Sequence, residues 1–299
     1  MMMWTLAACG PAPVPPDLPD AAGAAPTAPA SDGEAPAATD PWAAAISGPH
    51  RSAENKARDA ARHPRETLQF FGVTPSSTVV ELSPGGGWFT EILAPLLRDR
   101  GRLIVTISDP NGPPAYYGTR LAKELLARME REPEVFGTVT AVIEPLEVTM
   151  SPSGQVENIV HKPYALAPEG TVDVVVTFRN SHGWYNRGAL EQVYAAAFAA
   201  LKPGGVFGIE QHRAAPGADP ATSAKQGYLP EATVIEAAEK VGFRLEGRSE
   251  INANPRDTKD HPNGVWTLPP TLRLGDQDRA KYEAIGESDR MTLKFVKPL

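Results

Sequence analysis

The chain has 299 residues, a net charge of −7 and 41% hydrophobic residues, enough for one sizeable domain with a tail. It has no basic surplus of the kind that draws a protein to nucleic acid. No apolar run approaches the ~18 residues needed to span a bilayer. The one cysteine, Cys9, leaves no internal disulfide to form.

Leu6-Ala7-Ala8-Cys9 resembles a bacterial lipobox, in which the cysteine is lipidated and becomes the first mature residue. A signal also needs a basic start and an apolar core of ~7–15 residues. No Lys or Arg precedes Arg51, so we expect the true start codon to lie upstream. Residues 10–45 are mostly Ala, Pro, Gly, Asp and Thr and hold five acidic residues and no basic one. Such a segment buries too little surface to offset its ordering entropy, and we expect a disordered stalk with the folded domain over 46–299. The pattern places the domain in the cell envelope through a lipidated Cys9, with the cytoplasm as the alternative if the motif is fortuitous.

Ala53 to Phe71 reads as a helix capped by Ser52 and interrupted near Pro64, with His63 at the break. The next stretch organises the chain: Thr78-Val-Val-Glu-Leu-Ser-Pro-Gly-Gly-Gly-Trp-Phe-Thr90. Val79, Val80 and Leu82 form a short buried strand. Pro84 and three glycines turn the chain, and Trp88 to Leu97 continues at helical spacing. Strand, glycine turn and helix open a nucleotide-binding α/β sheet. Glycines let the backbone approach a ligand, and the helix start offers free N–H groups. The dinucleotide fingerprint ends on a small residue, whereas this one ends on branched Thr90. Glu81, at the strand end, would repel a pyrophosphate but can pair with an ammonium group.

Gly101 to Pro110 is a second strand ending at Asp109, about 20 residues past the loop, where such folds place an acid on ribose hydroxyls. Thr119 to Arg131 is an amphipathic helix. Val139–Ile143 and Val156–Val160 both read as strands. One is the third parallel strand and the other belongs to a hairpin around Ser151–Gly154. The acid or donor following that strand is then Glu144, or lies in the His161–Tyr164 loop, and the sequence leaves the choice open. Thr171 to Phe178, with Asp173 near its start, is a fully buried strand running into Arg179-Asn-Ser-His-Gly-Trp-Tyr-Asn186. This loop offers Asn180, His182, Trp184 and Tyr185. An aromatic face suits a cation, and histidine is the usual base near neutral pH. Gly188 to Leu201 is a helix, stopped by Leu201-Lys-Pro-Gly-Gly205 before a strand over Val206–Glu210 and a second candidate histidine, His212. Pro230–Val241 is a helix and Gly242–Ile251 a sixth strand. Residues 252–288 form a long polar stretch that is functional or mobile. Asp289 to Lys297 alternates as a final strand, expected antiparallel beside the sixth.

Glu81-x-x-x-Gly85-x-Gly87, the L-K-P-G-G turn and the final strand resemble class I S-adenosylmethionine (SAM) methyltransferases. With the N-S-H-G-W loop and the closing D-R-M-T-L-K-F-V-K-P, they resemble a group of predicted, exported bacterial methyltransferases. The family pattern has glycine where this chain has Ser83. The resemblance implies a Rossmann-like, seven-stranded, mostly parallel sheet with an antiparallel last strand and helices on both faces. It implies an enzyme that transfers a methyl group from SAM to a small-molecule acceptor. Glu81, Ser83, Gly85, Gly86, Gly87, Asp109 and Asn180 would contact the cofactor, and His182 would be the catalytic base. The sequence nominates no metal ligand. The competing expectation is a non-catalytic, ligand-binding lipoprotein on the same fold. A nicotinamide oxidoreductase is disfavoured by Glu81, Thr90 and the final strand.

Overall fold

The computed structural model describes residues 40–299. Cys9 and most of the expected stalk lie outside the described residues. The chain opens with helices α1 (Pro41–Ser47), α2 (Ala53–Ala57), α3 (Asp59–Arg62) and α4 (Pro64–Phe70). The alternating part follows as β1 (Thr78–Leu82), α5 (Thr90–Leu97), β2 (Arg102–Ile107), α6 (Tyr117–Arg131), α7 (Pro133–Phe136) and β3 (Thr140–Ile143). Next come β4 (Leu146–Met150), β5 (Val156–His161), β6 (Val172–Phe178), α8 (Ser181–Asn186), α9 (Leu190–Ala200) and β7 (Leu201–His212). The chain closes with α10 (Pro220–Ser223), α11 (Glu231–Lys240), β8 (Arg244–Ser249), α12 (Arg279–Ile285) and β9 (Arg290–Val296).

Seven strands form one sheet in the order β3-β2-β1-β6-β7-β9-β8. Strands β3, β2, β1, β6 and β7 pair parallel, and β9 pairs antiparallel with both β7 and β8. The expected final strand is present, inserted between the fifth parallel strand and β8. Alternate strand residues serve two cores, as a two-residue period requires. Val80, Leu82 and Val175 pack under α9 and α11. Val79, Val105 and Val176 pack under α1, α4, α5 and α6. Strands buried on both faces carry the unbroken apolar runs seen in the sequence.

Three open or differing points are settled by packing. The third parallel strand is β3, whose Thr140 sits opposite Ile104 of β2. The other candidate pairs antiparallel with β4 in a separate hairpin turned at Ser151–Gly154. The folded part starts earlier than the composition suggested, because α1 occupies 41–47. Asp40 accepts from the Trp42 backbone N–H at 3.0 Å, Pro41 takes the first turn, and Trp42 is only 6% exposed. One tryptophan anchors a segment whose average composition is that of a linker. Residues 179–186 are not a loop: the chain passes through Arg179 at φ 64° and enters α8 two residues later.

The stretch 252–288 is tied down by a buried carboxylate. Asp257 accepts from the Tyr228 hydroxyl at 3.0 Å, from the Asp289 N–H at 2.8 Å and from the Lys259 N–H at 2.9 Å, and lies 2.8 Å from His261 Nε2. At the opposite end of the sheet, Asp173 accepts from the Thr78 N–H at 2.8 Å and from Lys202 Nζ at 2.7 Å. It joins three parallel strands at their starts, remote from the ligand end. Strand β7 begins at Leu201 rather than Val206, so the K-P-G-G segment is extended, with Gly204 at φ 77°.

Candidate functional site

Strands β2 and β3 extend from one side of β1, and β6 and β7 from the other. The order of connection therefore reverses between β1 and β6, where open α/β sheets hold their ligands. The Ser83–Trp88 turn and the Arg179–Arg187 segment both leave the sheet at this point. Two cavities meet there. The first, of about 120 Å³, lies over the ends of β1, β2 and β3 and is lined by Ser83, Gly85, Ile107, Tyr116, Glu144 and His161, among others. The second, of about 760 Å³, lies on the β6–β7 side and reaches Arg58, Arg62, Trp88, His212 and Trp266. Gly85, Tyr117, Arg179, Asn180 and His182 line both.

The glycine turn divides its labour. A Cβ on Gly85 or Gly86 would meet nothing within 4 Å; Gly85 lines both cavities and Gly86 the second. Gly85 also has φ 61°, which favours glycine. A Cβ on Gly87 would stand 2.8 Å from Leu125 Cδ1 of α6. Gly87 thus permits close helix packing and does not face a ligand. Ser83 has φ 47°, which is why glycine would suit this position. The serine is held there by its hydroxyl, which donates to Glu144 Oε1 at 2.6 Å, and by its N–H, which donates to Thr106 Oγ1 at 3.1 Å. Thr106 also donates to Glu144, at 2.7 Å.

Glu144 follows β3, so it takes the position expected for the acid after the third strand. His161 lines the same cavity. The two alternatives left open by the sequence thus face one chamber. Burial, and then the nearby Arg187 charge, lower His161 to about 4, and its Nε2 is buried without a hydrogen-bond partner.

Glu81 is fully buried, pointing from β1 toward the start of α5. Thr90 Oγ1 donates to its Oε2 at 2.7 Å. Burial raises its carboxyl to about 7, against the lowering effects of the Thr90 hydrogen bond and the Arg179 charge. A cavity of about 20 Å³ beside it, under Ser83 and Pro84, has room for about one water. Thr90, the residue that breaks the dinucleotide fingerprint, is therefore the partner that fixes this carboxylate.

Asn180 braces the loop. Its amide donates to Leu82 O, Ser83 O and Thr177 Oγ1, each at 3.1 Å. It holds the turn in place and lines both cavities at the same time. Asp109 is not brought into the site. It is exposed, absent from both walls, and its Oδ1 accepts from the Asn111 N–H at 2.8 Å in an Asx turn. Ser108, one residue earlier, lines the first cavity instead. His63 sits at the α3–α4 junction with φ 41°, outside both cavities.

His182 stands where the cavities meet. Gln211 Nε2 lies 3.3 Å from its Nδ1, and its ring is 5.9 Å from Trp266 and 5.7 Å from His212. Burial lowers it to about 4, against the Gln211 hydrogen bond. Burial also lowers His212, whose Nδ1 meets Ser288 Oγ. Both imidazoles are neutral at physiological pH.

The residues that sequence reading missed are the arginines. Arg58 and Arg62 come from the N-terminal helices and Arg179 from the strand end. Arg187 follows α8, and Arg273 lies in the 252–288 stretch. Only Arg179, next to Asn180 in a loop already suspected, carried a local signal.

No protein-family model matches the chain, and no curated protein matches it. Among solved structures, the [4+2]-cyclase SpnF is similar at a TM-score of 0.52 and 13% identity, over 80% of this chain and 81% of that one. A SAM dependent methyltransferase from Aquifex aeolicus gives 0.48 at 13% identity, over 86% of this chain and 98% of that one. Geranyl diphosphate C-methyltransferase from Streptomyces coelicolor A3(2) gives 0.48 at 14% identity, over 85% and 87%. Likeness at this level is one of fold. The strand order, with its antiparallel β9 between β7 and β8, gives this chain the Rossmann-like seven-stranded sheet of class I methyltransferases.

Proposed function

We propose that the protein is a SAM-dependent methyltransferase acting on a small-molecule acceptor. The observation that carries this reading is the pairing of Glu81 with the open turn above it. A buried carboxyl with raised proton affinity lies beside a turn whose Gly85 and Gly86 leave space for a ligand backbone. That combination suits an amino acid's ammonium group and would be hostile to a pyrophosphate. The first cavity offers the rest of such a cofactor an apolar wall (Ile107, Leu121, Ala122) and polar groups in Glu144 and His161. The orphaned His161 Nε2 is a position where a ring heteroatom would complete a hydrogen bond.

When bound, the cofactor supplies an electrophilic methyl group on a sulfonium. This chain's residues would then act chiefly by position and by exclusion of water. Gly85 and Gly86 admit the ligand, Asn180 keeps the turn in register with β6, and Glu81 takes the ammonium end. His182 sits on the wall common to both cavities, so it faces the junction where a cofactor in the first would meet an acceptor in the second. Its neutral imidazole can accept a proton from an acceptor hydroxyl or amine. Its low proton affinity assigns it to acceptors that lose the proton as the new bond forms. The lipobox-like Leu6–Cys9 leads us to place the protein at the cell envelope, a reading tested by labelled fatty-acid incorporation that disappears in Cys9→Ala.

The test of function is calorimetric titration of S-adenosylhomocysteine into the full chain and into Gly86→Val. Gly86 has no left-handed φ and an added Cβ would meet nothing within 4 Å, so valine there would project into the second cavity beside the turn. Micromolar binding lost in the variant is expected. Equal binding by both proteins, or none by either, would remove the reading.

A further inference from the structure

The larger cavity is cationic in a protein of net charge −7. Its wall carries Arg58, Arg62, Arg179, Arg187 and Arg273 and one carboxylate, Glu287. Arg58 Nε lies 2.9 Å from Glu287 Oε1, and Arg62 Nε 2.9 Å from Oε2. Arg290 Nη1, behind the wall, lies 3.0 Å from the same carboxylate and 3.2 Å from Glu210 Oε1. Glu210 also takes Arg179 Nη1, at 3.1 Å. Four guanidinium groups (58, 62, 179 and 290) therefore share two carboxylates (210 and 287), an excess of two positive charges in a largely buried place. Arg62 is buried and held well below its ordinary value, first by burial and then by the Arg179 charge. Crowded, desolvated like charges are costly unless something neutralises them.

The geometry leaves donors for that purpose. Arg58 and Arg62 meet Glu287 through Nε, so the terminal nitrogens of both heads are not spent on it. The Arg62 guanidinium lies 4.7 Å from the Trp88 ring centre, which orients its plane. Arg273 lies 5.0 Å from the Trp266 ring centre across the cavity. Guanidinium pairs of this kind bind carboxylate and phosphate oxygens through paired hydrogen bonds. Trp88, Phe178, Trp266 and Pro269 supply apolar wall between the charges.

We propose that the second cavity takes an acceptor carrying an oxyanion on an apolar or aromatic body, its oxyanion held by Arg58 and Arg62. This rests on the methyltransferase reading for the word acceptor but not for the anion site itself. The body then lies between Trp88 and Trp266, and its far end reaches His182 at the junction with the first cavity.

The test uses the full chain, with benzoate and inorganic phosphate as probes and benzyl alcohol as the neutral counterpart of benzoate. Each is titrated calorimetrically with and without saturating S-adenosylhomocysteine, and again into Arg58→Gln, whose side chain is partly exposed and less buried than that of Arg62. Benzoate is expected to bind, benzyl alcohol not to, and Arg58→Gln to weaken benzoate by about tenfold or more, as loss of a charge-assisted pair requires. Phosphate binding tighter than benzoate would point to a phosphate ester, and the reverse to a carboxylic acid. Should Arg58→Gln fail to fold, Arg58→Lys takes its place: it keeps a positive charge beside Glu287 but loses the paired donors, so benzoate should again weaken. Equal binding of benzoate and benzyl alcohol, no binding of either anion, or unchanged affinity in the variant would overturn the proposal. So would one-for-one competition between benzoate and S-adenosylhomocysteine, which would assign the arginines to the cofactor's own carboxylate. Anion binding without any S-adenosylhomocysteine binding would keep the anion site and remove the methyltransferase reading.

Discussion

The two sides of the glycine turn are built on opposite principles. On the β2–β3 side, one carboxylate, Glu144, is satisfied by two neutral hydroxyls, Ser83 and Thr106, beside apolar wall from Ile107, Leu121 and Ala122, with Arg179 and Arg187 only at the border shared with the other side. On the β6–β7 side, guanidinium groups outnumber the carboxylates that face them. The first side is complete without a ligand apart from His161 Nε2; the second is electrostatically unfinished. A pocket that must recognise one constant ligand can be built from strand ends and fixed hydrogen bonds. A pocket that discriminates among acceptors is assembled from several distant segments, each contributing one charge or ring.

The largest expected effect lies at the turn between the two sides. Gly86→Val should abolish S-adenosylhomocysteine binding, by at least ~100-fold, while the melting temperature stays near that of the parent, because the new side chain meets ligand space and not protein. A lost fold, or retained affinity, would show that the turn does not border the ligand.

The next effect probes the cationic side. Glu287 is held down to about 2 by its arginines, against the opposing effect of burial. Its folded value lies below the unfolded one, so its stabilisation is present above about pH 4.5 and is lost as pH falls toward 2. Glu287→Gln should cost about 3–5 kcal/mol at neutral pH, since it leaves three guanidinium groups without their shared carboxylate. Denaturant unfolding measures it, and a change below about 1 kcal/mol would mean the cluster is hydrated rather than buried.

Glu81 has the opposite sign. Its folded value of about 7 is above the unfolded one of 4.5. The protonated form is favoured in the fold, so this contribution is complete below about pH 4.5 and is lost as pH rises through 7. Glu81→Gln should therefore flatten the pH dependence in that window and raise stability at pH 8 by up to about 3 kcal/mol. Unchanged pH dependence would remove the raised carboxyl from the account.

The smallest effect is the most specific. Asp109→Ala should leave S-adenosylhomocysteine affinity within about twofold, because Asp109 is committed to its own turn and faces solvent. A large loss would restore the ribose role expected from its spacing.

The pattern of what the chain revealed in advance follows from the same contrast. Strand, turn and helix at 78–97 were legible because local rules govern them: a buried run, glycines where the chain takes a positive φ, and helical spacing after the turn. Glu81 was legible because a charge at a strand end has few structural uses. Asp109 misled because strand-end spacing is set only to within a residue, and here Ser108 holds the wall. The arginine cluster was invisible because Arg58 and Arg62, Arg179, and Glu287 come from three distant stretches of the chain and each reads as a solvated charge. The α1 anchor was missed because composition averages over 10–45 hide Trp42.

The central claim is that a buried Glu81 receives the ammonium end of the cofactor. The direct measurement is the S-adenosylhomocysteine affinity of the full chain, by calorimetry, from pH 5.5 to 8. An ammonium partner favours the ionised carboxylate, so affinity should be greatest near pH 8 and fall by up to about tenfold per pH unit below 7. The dependence should vanish in Glu81→Gln. Binding that is equally tight at both ends of the range, or absent throughout, would contradict it.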